Sequence, residues 1–404
     1  MKFRLSEISR LWPIAKRITG EKLVKCVEWL FSSEKFRKDV FGTHRRKRVL
    51  LCYLPEAFAK KELPKYHSNL TECYSVAKVF DSLGYSVDCV SRTKRGIDYS
   101  PYEVVFGING NAFFGSFAAS NKPLKIFYSV GAHTFYSYMA TAERNLDFFR
   151  RHGNWLLGSN RYMPGDGRNY YEALFADGLI CLGDSFVEEK YITDNVRSEH
   201  CRSLSAFYFP VACNPAKKDF GRCRKNILWF GSSGLLHKGL DIAIDFVLEN
   251  PQYTLHVCGG SSREQGFWNY YSPMIKGRDN IHIYGFVDIE SPRFREILDE
   301  CGILLNPSVS EGGAVSVLNV LGNAPMFPVY SKGTGLDLDG VGYEVCDVTY
   351  DSFRCALLDI EKLPDGTVEE RAWAAYNLVK EKYTLERYCA GMCNHIKDII
   401  EKNR

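Results

Sequence analysis

The chain has no run of 18 apolar residues, so no membrane-spanning helix is expected. Its first residues mix charged with apolar positions. They lack the unbroken apolar core and small-residue cleavage site of a secretory leader. The 14 cysteines form no zinc spacing. Cys52, Cys89, Cys181 and Cys258 sit inside apolar, strand-like runs, where a free thiol behaves as a small core residue. Cys389, Cys393 and His395 come nearest to a ligand set, on a segment that reads as helix, and no metal is assigned. Internal repeats and low-complexity tracts are absent. These gaps argue against a disulfide scaffold, an integral membrane protein and a solenoid, and they point to a reducing cytoplasm.

What is present is ordinary in amount and uneven in placement. With 404 residues, 45% apolar and 25% charged, the chain suits two domains of about 150–200 residues, each burying its own core. The net charge of +4 is asymmetric. Residues 1–48 hold fourteen Lys/Arg against five acids, a net +9, which leaves −5 for the remainder. In residues 1–45, Leu5, Ile8, Leu11, Trp12, Ala15 and Ile18 recur at helical spacing, as do Leu23, Cys26, Val27, Leu30 and Phe31 after Gly20. Lys2, Arg4, Arg10, Lys16, Arg17, Lys22 and Lys25 fill the other faces. This basic amphipathic arm fits either an anionic bilayer interface, on the inner face of the membrane, or a helical extension packed on its own chain.

From Arg48 onward strands and helices alternate, the mark of an α/β fold. Strands are expected at Val49–Leu54, Tyr85–Ser91, Tyr102–Ile108, Lys125–Val130, Leu179–Leu182 and Ala206–Val211. Helices are expected at Asn69–Leu83 and, after the strand that ends at Val130, to about Phe149. Residues 46–212 then form a first domain. Residues 213–225, rich in charge with Pro and Gly, form a crossing. Residues 226–375 form a second domain with strands Ile227–Phe230, Thr254–Cys258, Ile281–Tyr284, Ile303–Leu305 and Phe327–Tyr330, and residues 376–404 close the chain as helix.

Two glycine-rich strand-to-helix turns carry the chemistry. The first is Asn226–Asp241, NILWFGSSGLLHKGLD, in which Gly231, Ser232, Ser233 and Gly234 lead to Lys238 and Gly239. The second is Leu304–Asp337, in which Pro307, Ser308 and Glu311 precede Gly312, Gly313 and Ala314 at a helix start. Such turns offer unpaired backbone N–H groups and the positive end of a helix, and so suit an anion. Lys238 is placed to reach a diphosphate, and Glu311 suits sugar hydroxyls better than phosphate.

This combination, with a downstream Gly335-Leu336-Asp337, resembles the donor domain of the nucleotide-sugar glycosyltransferases of family 4. The resemblance spans most of Arg48–Lys402. It implies the GT-B fold: two Rossmann-like parallel-sheet domains facing across a cleft, with a C-terminal helix crossing back to the first domain. It also implies a retaining transferase that moves a sugar from a nucleotide-diphosphate donor to a hydroxyl of a polysaccharide or lipid-linked glycan. No metal or other cofactor is needed, and nucleic acid is not a partner. By resemblance, Lys238 neutralises the diphosphate, Glu311 orients the sugar, and Ser308 belongs to the Pro-Ser pair before it. Gly259 lies in the loop after the second donor strand, and Phe286 and Val287 line the base.

The sequence departs from the family at two positions. Ser232 replaces an arginine of the first loop, and Asn319 replaces the second glutamate, which contacts ribose. A nucleotide-sugar epimerase of the same fold and a non-catalytic nucleotide-sugar-binding scaffold therefore stand as alternatives. His67, Asn69 and Asn109 are the acceptor-side candidates, with Asn69 and Glu72 also readable as a helix-capping pair. His133, after another strand end, is the candidate beside the anomeric centre. Asp337-Leu338-Asp339 is read as a turn.

Overall fold

The computed structural model describes residues 36–59, 62–65, 67–156, 168–193, 196–211, 215 and 218–403. The first 35 residues, which carry most of the amphipathic arm, lie outside this set.

Thirteen strands and thirteen α-helices are present among the described residues. Seven strands form one sheet and six the other, both mostly parallel. The described chain divides into two compact units. One comprises residues up to Leu63 together with Asn69–Lys125, and the other comprises Pro64–Ser68 with Ile126–Arg404.

In the first unit, β1 (Phe36–Arg37) runs antiparallel to β3 (Ser86–Ser91). β3 in turn lies parallel to β2 (Arg48–Tyr53), which pairs with β4 (Val104–Gly107). Residues 36–45, which the charge pattern groups with the arm, are thus tied to the sheet. Asp39 donates its N–H to Asp88 Oδ1 at 2.8 Å, and Val40 N donates to Val87 O. Helix α1 (Ser68–Ser82) follows, then the one-turn α2 (Asn111–Phe114).

The second unit begins with most of β5 (Leu124–Ser129) and adds α3 (Thr134–His152), α4 (Arg168–Phe175), β6 (Gly178–Leu182), α5 (Ser185–Thr193) and β7 (Cys201–Leu204). β5, β6 and β7 pair in that order, all parallel. The sequence suggests a strand at Ala206–Val211, but the strand is β7, immediately before it. The 206–211 segment is extended without being laddered because other groups take its backbone. Tyr208 N donates to Tyr383 O, and the amides of Asn319 and Asn323 take the N–H groups of Phe209 and Val211.

After the short α6 (Phe220–Cys223) comes the six-stranded sheet, in the order β10 (Ile281–Gly285), β9 (Thr254–Gly259), β8 (Asn226–Gly231), β11 (Ile303–Asn306), β12 (Phe327–Ser331), β13 (Tyr343–Val345). Its strands are near-continuous apolar runs because helices cover both faces. These helices are α7 (Leu240–Glu249), α8 (Gln265–Ile275), α9 (Pro292–Glu300), α10 (Val315–Leu321) and α11 (Tyr350–Glu361). The core joins Trp229, Ile227, Leu305, Val329, Phe246 and Phe267.

The closing helical segment is two helices, α12 (Asp365–Lys382) and α13 (Leu385–Lys402), because Thr384 caps the second one. Helix α13 packs on β5, β6 and β7. Tyr388 OH lies 3.1 Å from Tyr128 OH, His395 Nε2 donates to Ser203 O, and a Cβ on Gly178 would strike Ile399. Among the described residues no helix is long and apolar enough to cross a membrane.

Candidate functional site

The strand order of the six-stranded sheet decides where a ligand fits. From β8 the chain winds outward to β9 and β10, then returns to the other side of β8 as β11. In such sheets the crevice opens at the carboxyl ends of the two strands between which the winding reverses. Those strands are β8 and β11, paired through Ile227 and Ile303, and the turns that follow them are the two glycine-rich turns of the sequence.

The turns are bound to each other where residues 237–239 meet residues 307–311. Gly239 is in the left-handed region (φ +67°), and a Cβ there would lie 2.6 Å from Pro307. Val309 N donates to His237 O at 3.1 Å, and His237 Nε2 donates to Ser310 O at 2.8 Å. The indole N–H of Trp229 holds Lys238 O at 3.0 Å.

At the end of this zip the Lys238 ammonium is paired with Glu311 Oε1, which also accepts from Ser308 Oγ at 2.8 Å. Both side chains are nearly buried, 7% and 11% exposed. Ser308 is fixed in turn by Ser331 Oγ, which donates to its carbonyl, and Glu311 N donates to Gly333 O. The pair offers a cation to anions and a carboxylate acceptor to hydroxyl donors. An incoming anion can take the lysine, and a polyol can take the carboxylate.

The remaining predicted residues fall in several settings. Ser232 and Ser233 are exposed at the tip of the first turn. Gly259 (φ +86°) ends β9, and a Cβ there would lie 1.8 Å from Gly231 O, so only glycine lets these strand ends meet. Gly312 and Gly313 lie against the first sheet's loops. A Cβ on Gly312 would be 2.5 Å from Val130 O, and one on Gly313 2.8 Å from Ala206 Cβ. Ala314, at φ +33°, caps α10. Phe286 is 73% exposed beyond β10, with Val287 buried behind it. Asn319 Oδ1 accepts from Phe209 N at 2.8 Å, so the second acidic position of the family holds the extended 206–211 segment.

His133 is buried at the N-terminus of α3, edge-on to Tyr191 at 5.0 Å and beside Phe135 and Tyr170. His67 is exposed, with its N–H on Pro64 O. In the first unit, Asn69 is the second residue of α1, and Asn109 accepts from Arg92. Asn69 therefore lies inside the helix and not at its N-cap, where the capping reading put it, and the buried Glu72 accepts from Tyr53 OH at 3.0 Å. Asp337 and Asp339 both receive Lys382 Nζ, at 2.8 and 3.0 Å.

Sequence reasoning placed helix α3 but missed that it leans on both turns. Tyr136 OH of α3 donates to Val309 O at 3.2 Å, and burial, with Glu143 nearby, pushes that hydroxyl up to about 12, so it stays a donor. Thr141 Oγ1 lies 3.1 Å from His237 Nδ1. One turn later, Arg144 and Arg151 enter a buried charge cluster with Asp241 and Asp245 of α7. No local motif announces such contacts, which join residues 90 to 173 positions apart.

No protein-family model and no curated relative matches the sequence. Solved structures do. A glycosyltransferase from Rickettsia africae superposes with TM-score 0.57 at 12% identity, over 88% of this chain and 99% of that one. HepE from Anabaena, solved with UDP and glucose, gives 0.54 at 13%, over 89% and 100%. The lipopolysaccharide outer core galactosyltransferase WaaB gives 0.51 at 12%, over 89% and 100%. The chain has the GT-B fold. On a GT-B frame, the Lys238–Glu311 pair stands on the strand-end turns of the second sheet, where the resemblance puts the donor.

Proposed function

We propose that this GT-B protein is a retaining glycosyltransferase. It moves a sugar from a nucleotide-diphosphate donor to a hydroxyl of a polysaccharide or lipid-linked glycan. The observation that carries the reading is the Lys238–Glu311 pair, nearly buried, on two turns zipped together at the point where the winding of the sheet reverses.

The donor's diphosphate takes Lys238 from Glu311. The freed carboxylate, still held by Ser308, then accepts from sugar hydroxyls. As the bond from the anomeric carbon to the phosphate oxygen breaks, Lys238 neutralises the charge on the departing diphosphate. The acceptor oxygen bonds to the same carbon, and its proton passes to the leaving phosphate. No side chain need act as base, and the chain's own cation stands where a metal would otherwise be required. His133 is the candidate group beside the anomeric carbon. His67, Asn69 and Asn109 are the acceptor-side candidates, and the basic arm is the candidate contact with the inner face of an anionic membrane.

A second reading, a nucleotide-sugar-binding scaffold, is favoured by one observation: Asn319 is engaged with Phe209, where the family has a ribose-binding glutamate. Incubation with UDP-, GDP- and ADP-sugars tests both. Slow donor hydrolysis supports the transferase, and binding without turnover supports the scaffold. An isomerised donor identifies an epimerase of the same fold.

A further inference from the structure

The first turn reads as an anion-binding nest, yet two of its backbone donors already hold an anion. Glu264 lies in the loop between β9 and α8 and is 7% exposed. Its Oε1 accepts from Gly234 N at 2.6 Å and its Oε2 from Leu235 N at 2.8 Å. Both oxygens are therefore committed to adjacent amides, in the manner of a carboxylate bound by a nest. Gly234 (φ +87°) supplies the left-handed kink that turns these N–H groups to one side. The carboxylate is held from behind, since Glu264 N donates to Ser261 O and its carbonyl receives Phe267 N and Trp268 N.

The two residues it grips control the rest of the turn through their own carbonyls. Gly234 O accepts from Lys238 N at 2.8 Å, and Leu235 O accepts from Leu240 N at 3.0 Å. A continuous path thus runs from Glu264, through Gly234 and Leu235, to the backbone of Lys238 and the first residue of α7. These amide donors are occupied from within. The Gly234 and Leu235 amides are thus committed to Glu264, and the Lys238 ammonium and the exposed hydroxyls of Ser232 and Ser233 are side-chain groups of this turn for a diphosphate.

We infer that Glu264 is a positioning residue of the donor site: it sets the 231–239 turn and thereby the placement of Lys238. This rests on the donor-site reading above. The charge matters as well as the shape. Glutamine in its place would present an NH2 to one of two N–H groups, whereas aspartate keeps the charge with a shorter reach.

The test is a double-mutant cycle on the full chain, with UDP, GDP and ADP titrated calorimetrically into wild type, E264Q, E264D, K238A and E264Q/K238A. For the nucleotide that binds tightest, E264Q is expected to weaken binding about tenfold, which converts to about 1.4 kcal/mol. E264D should weaken it less, and the double variant should bind no more weakly than K238A alone. A residue that acts only on general stability would lower Tm and give multiplicative losses instead. Wild-type affinity in E264Q, or losses that multiply, would overturn the inference while leaving the donor site intact. An unchanged affinity in K238A would overturn the donor-site reading itself, and the inference with it. If E264Q does not fold, E264D with K238A completes the same cycle, and faster amide exchange at 231–239 in E264D is the result expected there.

Discussion

The second unit holds two buried charge clusters, and they are built on opposite plans. On the flanks of α3 and α7, Arg144 and Asp241 are fully buried, and Arg151 is shared among Asp147, Asp241 and Asp245. Tyr271 OH and His152 close the set on Asp245. Every acid there answers to at least one cation, on rigid helices. On the turns, Lys238 meets Glu311, with the Ser308 hydroxyl on the same carboxylate and glycines on either side. The first arrangement resists change, because removing one member leaves an unmatched buried charge. The second stands on glycine-rich turns at strand ends, where such sheets bind ligands, and there the proposed reading has a diphosphate take the lysine.

Breaking each cluster should separate the two roles. In Asp241→Asn, Arg144 and Arg151 lose the more deeply buried of the two acids they share, the other being Asp147. We expect a loss of about 3 kcal/mol in urea unfolding, with donor affinity per folded molecule nearly kept. In Glu311→Ala or Lys238→Ala we expect donor binding and turnover to fall along with stability. Either change leaves the other charge nearly buried, at a cost of about 3 kcal/mol in the same unfolding measurement. In the same variants kcat/KM should fall by at least about a hundredfold, near 2.7 kcal/mol of transition-state stabilisation. Full activity with an unchanged donor KM in either variant would remove the turns from the mechanism.

Gly259→Ala sharpens the contrast from the backbone side. Its Cβ would collide with Gly231 O, and its φ of +86° is unfavourable for alanine. A cost of about 2 kcal/mol is expected, together with weaker nucleotide binding, because Gly231 opens the first turn.

A titration separates a buried histidine of β9 from both clusters. Burial, then His282 and Arg293, lower His256 from 6.5 to about 4. The folded protein thus prefers the neutral ring, while the unfolded chain takes a proton near 6.5. This contribution is complete above pH 6.5 and is lost as the pH falls towards 4. His256→Gln should flatten the acid limb of Tm against pH in that window, by an amount on the order of 1–2 kcal/mol. An acid limb that stays as steep would assign the sensitivity to another group.

The parts of this architecture that are legible in sequence are those written locally. Val49–Leu54 and Ile303–Leu305 read as strands because unbroken apolar runs need cover on both faces. The turns read as ligand loops because Gly231, Gly239, Gly312 and Gly313 each sit where a strand hands over to a helix. The unread parts depend on distant partners. Glu264 looks like any loop acid until its oxygens are seen on Gly234 and Leu235. Tyr136 and Thr141 look like the polar side of a surface helix until Val309 and His237 are seen beside them. β13 is three residues long, too short for periodicity to register.

Asn319 is the smallest and most discriminating case. Read from sequence, it is a ribose contact weakened from glutamate to amide. In the fold its oxygen takes Phe209 N, while Asn323, one turn on, takes Val211 N and donates to Phe209 O. The two asparagines act together as a clip on the extended 206–211 segment. If the clip is the residue's main role, restoring the family's acid by Asn319→Glu should gain nothing in UDP affinity. The longer, charged side chain would instead cost about 1 kcal/mol of stability through a strained and partly desolvated carboxylate. A gain of tenfold or more in UDP affinity would mean that position 319 still faces the ribose, and that the clip is secondary to binding.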